Sequence, residues 1–147
     1  DQTRRQRQMC IRDRYDSLRA TSLAIKDDLV LPGGGSAHSR VSHHVRSQME
    51  SEPGRERIAM EAFARAMETI PAVLAENAGQ SPLDKVLELR AEARKENQAM
   101  GVDKKGEVSP VDDVWHSLSV ISESLETSTE TAISMLRIDQ VVSSRGD

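Results

Sequence analysis

A mainly α-helical domain carrying a short β-hairpin or strand element is what this sequence predicts, and three observations carry that expectation. Aromatic residues make up 2% of the 147 residues, so any core must be assembled from Leu, Ile, Val, Met and Ala, which suits helix-on-helix packing better than a sandwich. Apolar residues recur at helical spacing in several separate stretches. Between Met100 and Val114 that periodicity is lost, and Gly101-Val102-Asp103, Lys104-Lys105-Gly106 and Ser109-Pro110 read as a hairpin or loop with short strands. The length suits one domain at most.

From Asp16 to Lys26, Leu18, Ser22 and Ile25 mark a helix, which Asp27-Asp28 ends before the extended Leu29–Leu31. Next comes Pro32-Gly33-Gly34-Gly35-Ser36, a turn in which glycine permits positive φ and close approach to the backbone, with Ser36 placed to cap the next helix. A Gly-rich linker would explain three glycines about as well. Val41, Val45 and Met49 then form a narrow helical stripe, stopped by Glu52-Pro53-Gly54. Ile58, Ala62, Phe63, Ala66, Met67 and Ile70 give a broad apolar face, and Pro71 is expected to break the helix or begin a fresh one running to Ala75. Asn77-Ala78-Gly79 has the residues of a helix C-cap. Ser81-Pro82 supplies a cap and a first-turn proline for a charged helix whose inner side reads as Leu83, Val86, Leu87 and Arg90. Leu118, Ile121, Leu125, Ala132, Ile133 and Leu136 restore the 3.6 period over a long final helix, with Thr129 interrupting its inner side, and Ile138–Val142 reads as a terminal strand.

The first 14 residues stand apart. Arg4-Arg5-Gln6-Arg7-Gln8-Met9-Cys10-Ile11-Arg12-Asp13-Arg14 is what the genetic code gives for CGT CGG CAG CGT CAG ATG TGT ATA AGA GAC AGR, a common transposase-based sequencing adaptor. Residues 1–14 are therefore expected to be non-native, with the natural product entering at Tyr15. The whole chain carries a net charge of −4; five arginines against two aspartates give the first 14 residues +3, so the remainder is −7. An acidic remainder argues against nucleic acid as a partner. The only cysteine, Cys10, falls in the excluded segment, so disulfides, thiol catalysis and cysteine-ligated metal sites fall away with it. No apolar run approaches the roughly 18 residues of a membrane span, no signal peptide is visible, and a cytoplasmic location without membrane partners is expected.

The Pro32–Ser36 turn, the segment Leu74-Ala75-Glu76-Asn77-Ala78-Gly79 preceded by Ala62-Phe63-Ala64 and Ile70-Pro71, and Met135-Leu136-Arg137-Ile138-Asp139 occur in an order and spacing that no single motif would carry. Together they resemble the group II chaperonins, the archaeal thermosome and its eukaryotic cytosolic relatives. The resemblance covers nearly everything from Tyr15 onward and implies a fold, the helical carboxy-terminal half of the ATP-binding equatorial domain. It also implies a fragment, lacking the amino-terminal equatorial segment with its phosphate loop and Gly-Asp-Gly-Thr-Thr motif, and the apical domain.

The resemblance has specific implications for chemistry. Asp16 takes the place of the carboxylate that orients and polarises the water attacking the γ-phosphate; from the residues alone it reads as a helix N-cap or dipole partner. Gly33, Gly34 and Gly35 are the implied backbone contacts to the nucleotide, and Asn77, Ala78 and Gly79 the implied lining of base and ribose. ATP and Mg²⁺ are the implied cofactors of the intact parent, and its implied partners are sibling subunits of a double-ring oligomer and unfolded client proteins. Two positions depart from the family: His38 stands where many relatives have an acidic residue after the glycines, and His116-Ser117 where many have an acidic residue and proline near the ribose. His38, His43, His44 and His116 read as solvated surface histidines, with no cysteine or carboxylate cluster to complete a metal site. Trp115 reads as a loop anchor packed on the helices, and Glu88–Lys95 as a solvated helix face. The alternative function, from another class, is a stand-alone helical interaction module without catalysis.

Overall fold

The structure is a computed structural model that describes residues 2–95 and 98–138. Its elements run α1 (Gln2–Asp27), β1 (Val30–Pro32), α2 (Ser36–Gln48), α3 (Glu56–Asn77), α4 (Pro82–Ala93), β2 (Met100–Val102), β3 (Val108–Pro110), β4 (Trp115–Ser117) and α5 (Leu118–Leu136). The expectation of a mainly helical fold with short strands holds. These elements form two units, one containing α1 and α5, the other Leu29–His116.

In the second unit α2, α3 and α4 pack around the β2–β3 hairpin, whose antiparallel register pairs Met100 with Pro110, Gly101 with Ser109 and Val102 with Val108. Ala75, Leu89 and Val102 are its buried centre, flanked by Met100 and Val108. The short strand β1 pairs with β4.

Several helix faces differ from those the apolar pattern predicts. On α2 the buried residues are Ser36, Ser39 and Ser42, while Val41, Val45 and Met49 are only half-buried. Small side chains allow a close helix approach, and the Ser42 hydroxyl finds a buried partner in Glu68 at 3.0 Å. On α3 the buried stripe is Ala64, Glu68, Pro71 and Ala75, at i, i+4, i+7 and i+11. Ile58 and Ile70 are turned to the outside. Pro71 neither breaks α3 nor begins a new helix: it sits inside a continuous element. It lacks the N–H that would donate a hydrogen bond to the carbonyl four residues back, and its fully buried ring packs beside Gly35.

Helix α4 is capped as its sequence predicts, with Ser81 Oγ accepting from Asp84 N at 3.4 Å and Pro82 in the first turn. Its inner side is Lys85 and Leu89, not Leu83 and Leu87, which are exposed. Two ion pairs explain the rotation. Lys85 Nζ donates to Glu107 Oε2 of the hairpin at 2.6 Å, and Arg90 Nη2 to Glu68 Oε2 of α3 at 2.6 Å. Within Glu88–Lys95, Leu89 and Arg90 therefore turn inward, so that run is more than a solvated face.

In the first unit α1 is one helix from Gln2, so the segment expected to be non-native is helically continuous with Tyr15 and the residues beyond it. Asp28, at φ 53°, turns the chain out of it. The expected strand Ile138–Val142 lies outside the described residues except for Ile138, which is exposed.

Candidate functional site

The glycine turn is held from three sides. A Cβ on Gly33 would stand 2.6 Å from Val114 Cγ1, one on Gly34 2.6 Å from the Val102 carbonyl oxygen, and one on Gly35 3.0 Å from the Pro71 ring. Gly34 and Gly35 also have φ of 65° and 73°, a region glycine enters without penalty. Backbone bonds complete the clamp: Gly33 N donates to Val114 O and Val102 N to Gly34 O, both at 2.8 Å. The turn is thus part of the fold's packing and not a free linker.

Ser36 does not cap α2. Gly35 is the N-cap residue, without a side-chain cap bond, and the Ser36 hydroxyl turns back to donate to Pro32 O at 2.6 Å. Gly34 N and Gly35 N donate to no acceptor among the described residues. Two successive amides in left-handed backbone at the head of a 13-residue helix form a donor set for an anion, reinforced by the helix dipole.

Asn77-Ala78-Gly79 closes α3 as its composition predicts. Gly79, at φ 77°, donates to Glu76 O and Gln80 N to Ala75 O, each at 2.9 Å, the paired bonds of a Schellman cap. The space where a Gly79 Cβ would lie is open.

One hairpin joins these two segments, a relationship that the motifs do not show. A Cβ on Gly101 would stand 2.7 Å from the Gly33 carbonyl oxygen, and one on Gly106 2.8 Å from Ala78 Cβ. Gln80 Nε2 reaches across to Lys105 O at 3.4 Å and Glu107 Oε1 at 3.3 Å. The one signal of it in the sequence is a pair of glycines in a stretch without helical period. Asp103 shapes the hairpin's tip by accepting from Lys105 N at 2.8 Å and Glu107 N at 2.9 Å; the Glu107 bond is the main reason its carboxyl titrates below the usual range.

His38 and His116 are neighbours. His38 is half-buried rather than fully solvated, and burial, with His116 adding repulsion, lowers its pKa. Trp115 does not pack on the helices as expected: it lies exposed on β4, its indole N–H donating to Asp112 O at 3.0 Å. Among the described residues no three His, Cys, Asp or Glu side chains are grouped to hold a metal ion, and no helix is long and apolar enough to cross a membrane.

Asp16 belongs to the other unit. It lies in the interior of α1, exposed, so the N-cap reading of this residue does not hold. With Arg19 and Leu23 it lines an open groove of about 530 Å³ whose other wall is α5, through Val120, Glu123 and Thr127.

The sequence profile of the TCP-1/cpn60 chaperonin family matches residues 6–145. Thermosome subunit 1 of Haloferax volcanii is 40% identical over 130 residues, 86% of this chain and 23% of that protein. Thermosome subunit beta of Archaeoglobus fulgidus is 39% identical over 134 residues, 89% of this chain and 25% of the relative. The open-state monomer of a group II chaperonin from Methanococcoides burtonii superposes with a TM-score of 0.73 at 35% identity, covering 79% of this chain and 30% of that one. The chain belongs to the TCP-1/cpn60 chaperonin family. It spans about a quarter of the length of the curated relatives it matches.

Proposed function

We propose that residues 15–147 are the carboxy-terminal part of the ATP-binding equatorial domain of a cytoplasmic chaperonin subunit, and that residues 1–14 are adaptor-derived. In the intact polypeptide, ATP binding and hydrolysis would drive the folding of unfolded client proteins within a double ring of subunits. The observation that carries this reading is the convergence of the glycine turn and the Ala78 segment on one hairpin, with two adjacent glycine amides left to donate.

The residues divide the work. Gly33, Gly34 and Gly35 present backbone to the phosphates, with the Gly34 and Gly35 amides as donors. Asn77, Ala78 and Gly79, at a helix end with open space beside Gly79, line the base and ribose. Asp16 orients and polarises the attacking water by accepting a hydrogen bond from it, a positioning task more than covalent chemistry. When bound, Mg²⁺ and ATP supply the neutralising charge and the phosphoanhydride to be cleaved. The Mg²⁺ ligands and the rest of the phosphate cradle are assigned to chain outside these 147 residues.

The test is to recover the coding sequence upstream of Tyr15 and assay the restored polypeptide. Gly-Asp-Gly-Thr-Thr upstream and ATP turnover are expected, and the 147-residue chain alone should give no turnover above a buffer blank. A restored polypeptide that lacks the motif and hydrolyses nothing would instead leave the helical interaction module.

A further inference from the structure

Asp27 ends α1, yet its carboxylate serves another helix. Asp27 Oδ2 accepts from Ser117 Oγ at 2.5 Å and from Ser119 N at 2.9 Å. Ser117 is the N-cap residue of α5, with extended backbone at φ −64° and ψ 141°, but makes no side-chain cap bond of its own. Its hydroxyl is turned to Asp27 and lies 2.9 Å from Ser119 Oγ. The cap of α5 is therefore supplied from α1, by a negative group placed where free amides and the helix dipole favour one.

Asp16 stands on the same stripe of α1. Eleven residues at 3.6 per turn complete about three turns, which brings Asp16 and Asp27 to within roughly 20° of one face and separates them by about 16 Å along the axis. Ala20 and Leu23 fall between them and line the groove with Asp16. Among the described residues, no other hydrogen bond or ion pair along this face joins the two helices. No residue of α5 is buried, and the Asp27 bond to Ser119 is the only hydrogen bond between α1 and α5 among the described residues, with the Ser117 bond beside it at the α5 cap. Apolar contact alone is non-directional and permits sliding.

We infer that Asp27 is a positioning residue: its bonds to Ser117 and Ser119 fix how α1 lies along α5, and so fix where Asp16 stands in the groove. The inference rests on the reading of Asp16 as the water-orienting group, since only then does its placement carry chemistry.

The test uses the full 147-residue chain with Cys10→Ser and spin labels at Thr21→Cys and Ser122→Cys, both exposed positions. Pulsed EPR should give one narrow distance distribution. Asp27→Ala should broaden it, and the Ser119 amide should exchange about five- to tenfold faster, as loss of a cap worth about 1 kcal/mol implies. Asp27→Asn should restore the narrow distribution, because asparagine caps about as well as aspartate. A distribution unchanged in Asp27→Ala overturns the inference, as does an Asp27→Asn chain as broad as Asp27→Ala. If Asp27→Ala fails to fold, Ser117→Ala decides: partial broadening supports the latch and an unchanged distribution overturns it. No nucleotide is present in this experiment, so failure of the Asp16 assignment would leave its outcome untouched.

Discussion

Gly101 and Gly33 meet backbone to backbone: a side-chain carbon on Gly101 would stand 2.7 Å from the Gly33 carbonyl oxygen and 3.0 Å from that of Gly34. The obstruction is main chain on both counts, so no flexible side chain can move aside. The glycine turn therefore keeps its shape only while the hairpin lies flat against it. A requirement that looks like ligand access in the sequence is, at these atoms, a packing requirement.

Gly101→Ala should therefore destabilise the protein by about 1 to 3 kcal/mol, the usual cost of overpacking. Urea denaturation followed by circular dichroism measures it. Gly79→Ala offers a contrast, because its Cβ would meet open space and only the left-handed φ of 77° opposes it. Its cost should be nearer 1 kcal/mol. Equal losses at the two positions would refute the packing account.

Glu68 is the polar centre of the three-helix unit, its side chain 8% exposed between Arg46 of α2 and Arg90 of α4. Arg90 donates to it through Nε at 2.8 Å and Nη2 at 2.6 Å, Arg46 through both Nη groups, and Ser42 Oγ at 3.0 Å. Glu68→Ala should cost roughly 1.5 to 3 kcal/mol, because it takes the shared carboxylate from the half-buried Arg90 and from Arg46, which keeps only its pair with Glu61. Glu68→Leu, which fills the gap but not the charge, should recover little of that. A loss below about 1 kcal/mol in chemical denaturation would contradict this role.

The same carboxylate sets a pH dependence. Burial alone would raise its pKa, but bonds from Arg90, Arg46 and Ser42 outweigh burial and hold it at about 2, against an ordinary 4.5. A depressed folded pKa means that the stabilisation is complete above about pH 4.5 and is lost as the pH falls toward 2, on the order of 3 kcal/mol in all. Asp27, lowered chiefly by its bond from Ser117, shifts stability in the same direction. The melting temperature should fall across this window in the parent chain and markedly less in Glu68→Gln. Identical pH profiles would rule Glu68 out as the titrating group.

Deleting residues 1–14 should remove helical signal, because α1 extends through them, but leave the melting midpoint unchanged. Residues 10–22 of α1 are exposed throughout, so the junction at Tyr15 buries little. A clear drop in midpoint on deletion would show that the segment contributes to the fold.

The elements are legible in the sequence because capping and turn chemistry are local. Ser81-Pro82 begins α4 and Asn77–Gly79 ends α3 where their residue types say they should. Helix faces are less legible. The apolar pattern of α2 points to Val41 and Val45, yet tertiary contact selects Ser36, Ser39 and Ser42, because small side chains let the neighbouring elements approach closely and the Ser42 hydroxyl finds a partner in Glu68. In α4 the buried Lys85 and inward Arg90 depend on Glu107 and Glu68, residues 22 positions away in each case, which no local window reveals. Pro71 reads as a helix breaker until its packing against Gly35 is seen. At the candidate site the glycines and Asn77–Gly79 are visible as motifs, whereas the hairpin that joins them is a long-range relationship.

Asp16→Asn in the restored polypeptide tests the water-orienting role of Asp16 most directly. Asp16 is an exposed residue inside α1, so the substitution should change stability by less than about 0.5 kcal/mol. ATP affinity should stay within a few-fold, because the glycine turn and the Asn77 segment are untouched. Turnover should fall by about 10² to 10⁴, or roughly 3 to 5 kcal/mol of barrier, because an amide cannot take the proton of the attacking water. A folded, ATP-binding, hydrolysis-dead variant is the expected result; turnover at the parent's rate would contradict the account.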